Sequence, residues 1–234
     1  MESLGRVASD LDSSIAPNSE KLSLVSQALD LLESKKGTFL WLLDEGGGRR
    51  NEMSIVNGTS HAVLLVEWYL ERGYVKVPPQ PYLDSMSRDE ALFHNAGSWA
   101  CTGSSGIVTY QLEHQTNLHI LWECPYSFDI NDNYIGLMLT TGHCLKKPNK
   151  YLFKGMLKDW DMIGMSPSYG STFDLVCCGP GDGKSRDKGG SKPYGCKRRC
   201  AAQDNNYAVY ATMGDKHATG SKITIVEKNY NWKN

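Results

Sequence analysis

The sequence predicts a mainly β protein flanked by two α-helices. Three observations carry this. Residues 89–141 divide into four strand-length segments, with apolar positions such as Ile107, Tyr110, Leu112, Leu118, Ile120 and Trp122 separated by small or polar turns. Residues 19–36 and 148–163 instead repeat their apolar side chains at helical spacing. Residues 207–213 and 223–226 then run apolar like a closing hairpin.

Taken in order, residues 1–18 are small and polar and read as a disordered N-terminal segment. Residues 19–48 form a second unit. Ser19 is an N-cap, Glu20 suits the first turn, and Lys35-Lys36 precede a stopping Gly37. Leu22, Val25, Leu29 and Leu32 form one apolar face, widened by Leu24, Ala28 and Leu31. A helix of about 17 residues is roughly 25 Å long, near the hydrocarbon thickness of a bilayer if the following FLWLL joins it. Gly46-Gly47-Gly48 is a flexible joint. The ordinary expectation for such a helix is that it packs on the sheet.

Residues 49–234 are the main domain. Residues 53–58 and 61–70 are two apolar runs joined at Asn57-Gly58, and Asn57-Gly58-Thr59 is also a glycosylation sequon. Pro78-Pro79-Gln80-Pro81 is an extended linker or edge segment. Within the central stretch, EHQTN is a connection of hairpin size, TGSSG is a small-residue corner, and Pro125 ends a strand because it cannot donate to a ladder. Lys146-Lys147-Pro148 opens the helix near 148–163, with Phe153, Met156, Leu157, Trp160 and Ile163 on one face. Residues 173–178 read as a strand, and the glycine- and lysine-rich 179–195 as a polar loop.

A net charge of −1 over 234 residues gives no electrostatic footprint for nucleic acid. No uncharged apolar run is long enough for a bilayer-spanning helix. The N-terminal MESLGRVASDLDSS has no apolar signal core, so the chain is read as cytoplasmic or as starting after processing. Seven cysteines leave two alternatives open: in a secreted protein Cys177/Cys178 with Cys196/Cys200 would staple the glycine-rich loop, and in the cytosol they would be thiols. Residues 178–185, CGPGDGKS, nearly spell a phosphate loop, but Cys178 replaces the first glycine and RDKGGSKPYG after it is no helix. Adjacent cysteines and a C-x3-C spacing do not suit structural zinc, so no metal is assigned. No nucleophile or metalloprotease signature appears, so no catalytic residue or cofactor is assigned and the chain is not read as an enzyme.

Three segments, EALFHNAG, ACTGSSGIVTY and LWECPYSFDINDNY, resemble the central part of the actinoporins, the pore-forming cytolysins of sea anemones. Those toxins carry an A-L-L-Y-N-G strand end, an A-T-G-x-x-G-x-x-x-Y corner and an S-V-P-Y-D-Y loop in the same order. The resemblance implies a β-sandwich flanked by two α-helices, actinoporin-like. It implies a secreted, hemolytic protein that docks on target-membrane lipids, forms homo-oligomers there and conducts ions. The N-terminal helix, with Leu22, Val25, Leu29 and Leu32, would detach and insert, and Asp30 and Glu33 would line a cation-friendly pore.

The resemblance also implies a lipid-contacting set: Trp99, Ser105, Glu123, Pro125, Tyr126, Phe128, Tyr134 and Tyr151. In the family, hydroxyls, a valine, the loop proline and tyrosines cradle choline head groups. Those positions fall here on Arg72, Ser105, Glu123, Pro125 and Asn131, and only Pro125 matches. The family's tryptophan-tyrosine pair falls on Ile130 and Asn131, and its next tryptophan on Tyr134. Glu123 supplies charge for a quaternary ammonium. The bland alternative is that these rings cover the end of the sandwich. The functional alternative is a non-lytic glycan- or lipid-binding module, since fungal fruit-body lectins resemble actinoporins in fold and fold does not fix function.

Overall fold

The computed structural model describes residues 48–96, 102–113, 115–127, 132–141, 147–158, 172–177, 200–214 and 218–228. Among these residues twelve strands build two sheets. They are β1 (Arg50–Gly58), β2 (Val63–Arg72), β3 (Tyr74–Val77), β4 (Tyr82–Leu83), β5 (Ser87–His94), β6 (Ser104–Gln111), β7 (Thr116–Cys124), β8 (Tyr134–Thr141), β9 (Thr172–Cys177), β10 (Cys200–Gln203), β11 (Tyr207–Met213) and β12 (Ala218–Glu227). One sheet has the order β10-β11-β12-β1-β5-β3 and the other β4-β2-β6-β7-β8-β9. One helix, α1 (Lys150–Lys158), joins them among the described residues.

The four strands expected between residues 89 and 141 are β5 to β8, in antiparallel array from β6 to β8. The expected closing hairpin is β11 and β12, and Pro125 does follow the last residue of β7. Sequence pattern did not find β3, β4 or β10, which are four residues or fewer and too short to show a period. Nor did it show that β12 lies parallel to β1, pairing Arg50 with Ala218 and Gly58 with Val226, because that contact joins distant parts of the chain.

The two sheets close on one core. Met53, Ile55, Ala91, Phe93, Val209, Ile223 and Ile225 come from one side, and Val108, Tyr110, Leu118, Ile120, Trp122, Ile135 and Leu137 from the other. The Phe93 and Trp122 rings meet at 4.2 Å between centroids, and the Trp122 indole N–H donates to Ser104 Oγ at 3.2 Å. Burying large rings whose polar atoms are satisfied favours a unique packing.

β7 is buried along its whole length because its other face is covered too. There Ile107, Leu121, Tyr134 and Met138 pack with Leu152, Phe153 and Met156 of α1, and Tyr69 lies 6.2 Å from Phe153 between ring centroids. The helix begins at Lys150, two residues after the Pro148 with which it was expected to open. Asn149 is the cap, its Oδ1 accepting from the Tyr151 and Leu152 amides at 2.9 and 3.0 Å. α1 is the second of the two expected helices, and it is the one helix among the described residues. The expected helix at 19–36 lies outside them, as do residues 159–171 at the far end of the second expected helix and the glycine-rich 179–195.

The sequon has a structural use. Asn57 is fully buried; its Nδ2 donates to the carbonyls of His61 (2.7 Å), Leu83 (3.2 Å) and Asp84 (2.8 Å), and its Oδ1 accepts from the Thr59 hydroxyl at 2.7 Å. Its amide knits the β1–β2 turn to β4 and is not presented to solvent.

Candidate functional site

Close backbone approaches define one end of the sandwich. At Gly73, between β2 and β3, φ is +94° and an added Cβ would stand 2.2 Å from the His94 carbonyl oxygen. At Gly103, leading into β6, it would stand 2.0 Å from the Cys124 carbonyl oxygen. Only glycine allows both approaches, so these positions draw the starts of β3 and β6 against the ends of β5 and β7.

Strand register then sets a row across this end. Arg72 pairs with Ser105, Ser105 with Glu123, and Glu123 with Tyr134. Directly paired residues share a face. Three of the positions that the resemblance assigned to the head group, Arg72, Ser105 and Glu123, thus stand side by side on the α1 side of the sheet. Asn131 lies outside the described residues.

Exposure divides the expected lipid-contacting set. Ser105, Glu123, Pro125 and Tyr134 are buried. Tyr134 is held in the core beneath α1, so its ring is part of the packing there and not of the surface. Burial removes these four side chains from the surface that the sequence reading placed them on. Tyr126 is 41% exposed, and Tyr151, on the outer side of α1, is 86% exposed. Trp99 and Phe128 lie outside the described residues, as do Leu22, Val25, Leu29 and Leu32.

Tyr126 is braced from across the chain. The Arg49 guanidinium carbon lies 4.8 Å from the Tyr126 ring centroid, and Arg49 Nε donates to the Tyr126 carbonyl at 2.6 Å. The Asn95 amide in turn donates to the Arg49 carbonyl at 2.9 Å. Nearby in the strand register, exposed Tyr74 is paired with His94, their rings 5.6 Å apart. Sequence pattern does not join Arg49 to a ring 77 positions away. It missed Tyr74 altogether; a lone tyrosine after Gly73 carries no local signal.

A second polar feature lies deeper on the α1 side. His119 is fully buried, its Nδ1 2.9 Å from Thr109 Oγ1 and its Nε2 3.3 Å from Thr140 Oγ1. Burial without a compensating charge pushes its pKa down to about 3, so the ring is neutral at physiological pH. No helix among the described residues is long and apolar enough to cross a membrane. No group of three or more His, Cys, Asp or Glu side chains among them is placed to hold a metal ion.

The fold is similar to that of a solved protein. The crystal structure of the lipid binding protein Nakanori superposes with a TM-score of 0.58 over 92% of this chain and 90% of its own, at 10% identity. At that identity the likeness is one of fold. The Xerocomus chrysenteron lectin XCL gives a TM-score of 0.42, covering 75% of this chain and 99% of its own, at 4% identity. In sequence, Tereporin-Ca1 of Terebra anilis is 28% identical over 164 residues, which is 69% of this chain and 75% of that protein. No family model matches the chain.

Proposed function

We propose that this protein docks on membrane lipid through the end of the sandwich that carries Tyr126, and then assembles into an oligomeric pore, with residues 19–36 inserting and no catalysis involved. The exposed Tyr126 ring, braced by Arg49, carries the docking step. A tyrosine at a lipid–water boundary buries its ring while its hydroxyl stays wet, and a ring already held in place loses little entropy on docking. A guanidinium beside it suits a lipid phosphate. The resemblance of residues 90–134 to actinoporins and the fold shared with a lipid binding protein support the same reading. Insertion rests on the apolar face Leu22, Val25, Leu29 and Leu32.

A glycan-binding module of the same fold is the second reading, since the family's choline positions are substituted here, with Arg72, Ser105 and Glu123 standing in them. Dye release from liposomes with and without sphingomyelin separates the two. Docking with leakage that is lost on deleting residues 1–45 is the expected result. Docking without leakage would reject the pore, and retention on a glycan array with no affinity for liposomes would favour the lectin reading.

A further inference from the structure

Resting on lipid docking as proposed above, we infer that the outer face of α1 is a separate contact that selects anionic lipid head groups. Residues 147–158, KPNKYLFKGMLK, hold Lys147, Lys150, Lys154 and Lys158 and no acidic residue, in a chain whose net charge is −1. This segment is thus locally cationic in a chain that is nearly neutral as a whole. The apolar residues Leu152, Phe153 and Met156 turn inward onto the sheet, which leaves Lys150, Tyr151 and Lys154 exposed together on one side.

The placement of these cations runs against helix stability. The first turn has no acidic residue, and Lys147 and Lys150 stand at the end where the helix dipole is already positive. The two effects add, giving an outward field suited to phosphate and carboxylate. Glu67 on β2 approaches Lys147 at 3.5 Å, with both side chains largely in solvent, so it offsets one charge at most. Among the described residues no ion pair engages Lys150 or Lys154. Tyr151 supplies an interfacial ring between them.

The strands that lead to the Tyr126 loop also run under α1: Tyr134 pairs with Glu123 near the end of β7 and belongs to the apolar cluster that α1 covers. A flat anionic surface is matched by lysines spread along a helix face, whereas a compact single-anion ligand would call for convergent donors.

Co-sedimentation with phosphatidylcholine vesicles, and with vesicles in which about a third of the lipid is phosphatidylserine, tests this. The intact chain is compared with the Lys150→Gln/Lys154→Gln double variant, whose folding is checked by circular dichroism. The wild type should favour the anionic vesicles, the preference should fall as salt is raised, and the double variant should lose about thirty-fold of affinity for them while keeping its affinity for neutral vesicles. Equal wild-type affinity for both vesicles, or a preference that survives the double substitution, overturns the inference. So does binding to soluble heparin without any vesicle preference. If neutral vesicles are bound through Tyr126 but no anionic preference exists, the lysine face alone fails. If Tyr126→Ala leaves neutral binding intact while the anionic preference persists, the Tyr126 reading alone fails. A wild type that binds neither vesicle rejects both.

Discussion

Arg49 holds Tyr126 in two ways at once, its guanidinium 4.8 Å from the ring centroid and its Nε bonded to the carbonyl of the same residue at 2.6 Å. The ring contact and the backbone contact are separable. Tyr126→Ala removes the ring but keeps the carbonyl, whereas Arg49→Ala removes both restraints from an intact ring.

Tyr126→Ala should therefore weaken binding to neutral vesicles by about ten-fold, since burying the exposed part of such a ring is worth about 1–2 kcal/mol. Arg49→Ala should weaken it by about five-fold through lost bracing. Neither should move the urea midpoint appreciably, because both side chains are at the surface. Vesicle titration beside urea unfolding reads both quantities, and a large stability loss in Tyr126→Ala would assign the ring to packing.

Asn57 is expected to be unglycosylated in a secretory host and intolerant of substitution. Asn57→Ala leaves the His61, Leu83 and Asp84 carbonyls short of a donor and should cost about 3 kcal/mol. Intact mass after expression and urea unfolding check the two halves of this statement.

His119 makes stability fall in acid. Its folded pKa of about 3 lies below the unfolded value of 6.5, so between these limits the unfolded chain binds the extra proton and stability rises with pH. The contribution is fully present above pH 6.5 and is lost as pH falls toward 3. Lowering pH from 7 to 4.5 should cost about 3 kcal/mol from this group. His119→Gln, which retains hydrogen-bonding capacity toward Thr109 and Thr140, should flatten that acid limb in urea titrations at successive pH values.

Gly73→Ala should be destabilising by about 3 kcal/mol or more, because the new Cβ meets the His94 carbonyl and the backbone sits at φ +94°. Thermal unfolding by circular dichroism measures this. A variant as stable as the parent would show that the β2–β3 corner is not held as described.

The central strands were readable because local pattern is enough for them. Alternating apolar positions and the turns at TGSSG and EHQTN place β6 and β7, although β6 already starts at Ser104, inside the expected corner. The helix at residues 150–158 was readable in the same way, from Phe153 and Met156 one turn apart. The site was less so. Tyr126 and Tyr134 look alike in sequence, two tyrosines bracketing one polar loop, yet one is exposed and the other buried under α1. Nothing in the loop composition separates them.

By itself the sequence determined the existence of the longer strands, the amphipathic face of α1 and the absence of a spanning apolar run, since each depends only on spacing along a short stretch of chain. The tertiary structure alone decided that β1 lies beside β12, that Arg49 meets Tyr126, and that Ser105, Glu123 and Tyr134 turn away from solvent. Those outcomes depend on which face of a sheet another element covers. That is a matter of packing between residues far apart in the chain, and periodicity carries no record of it.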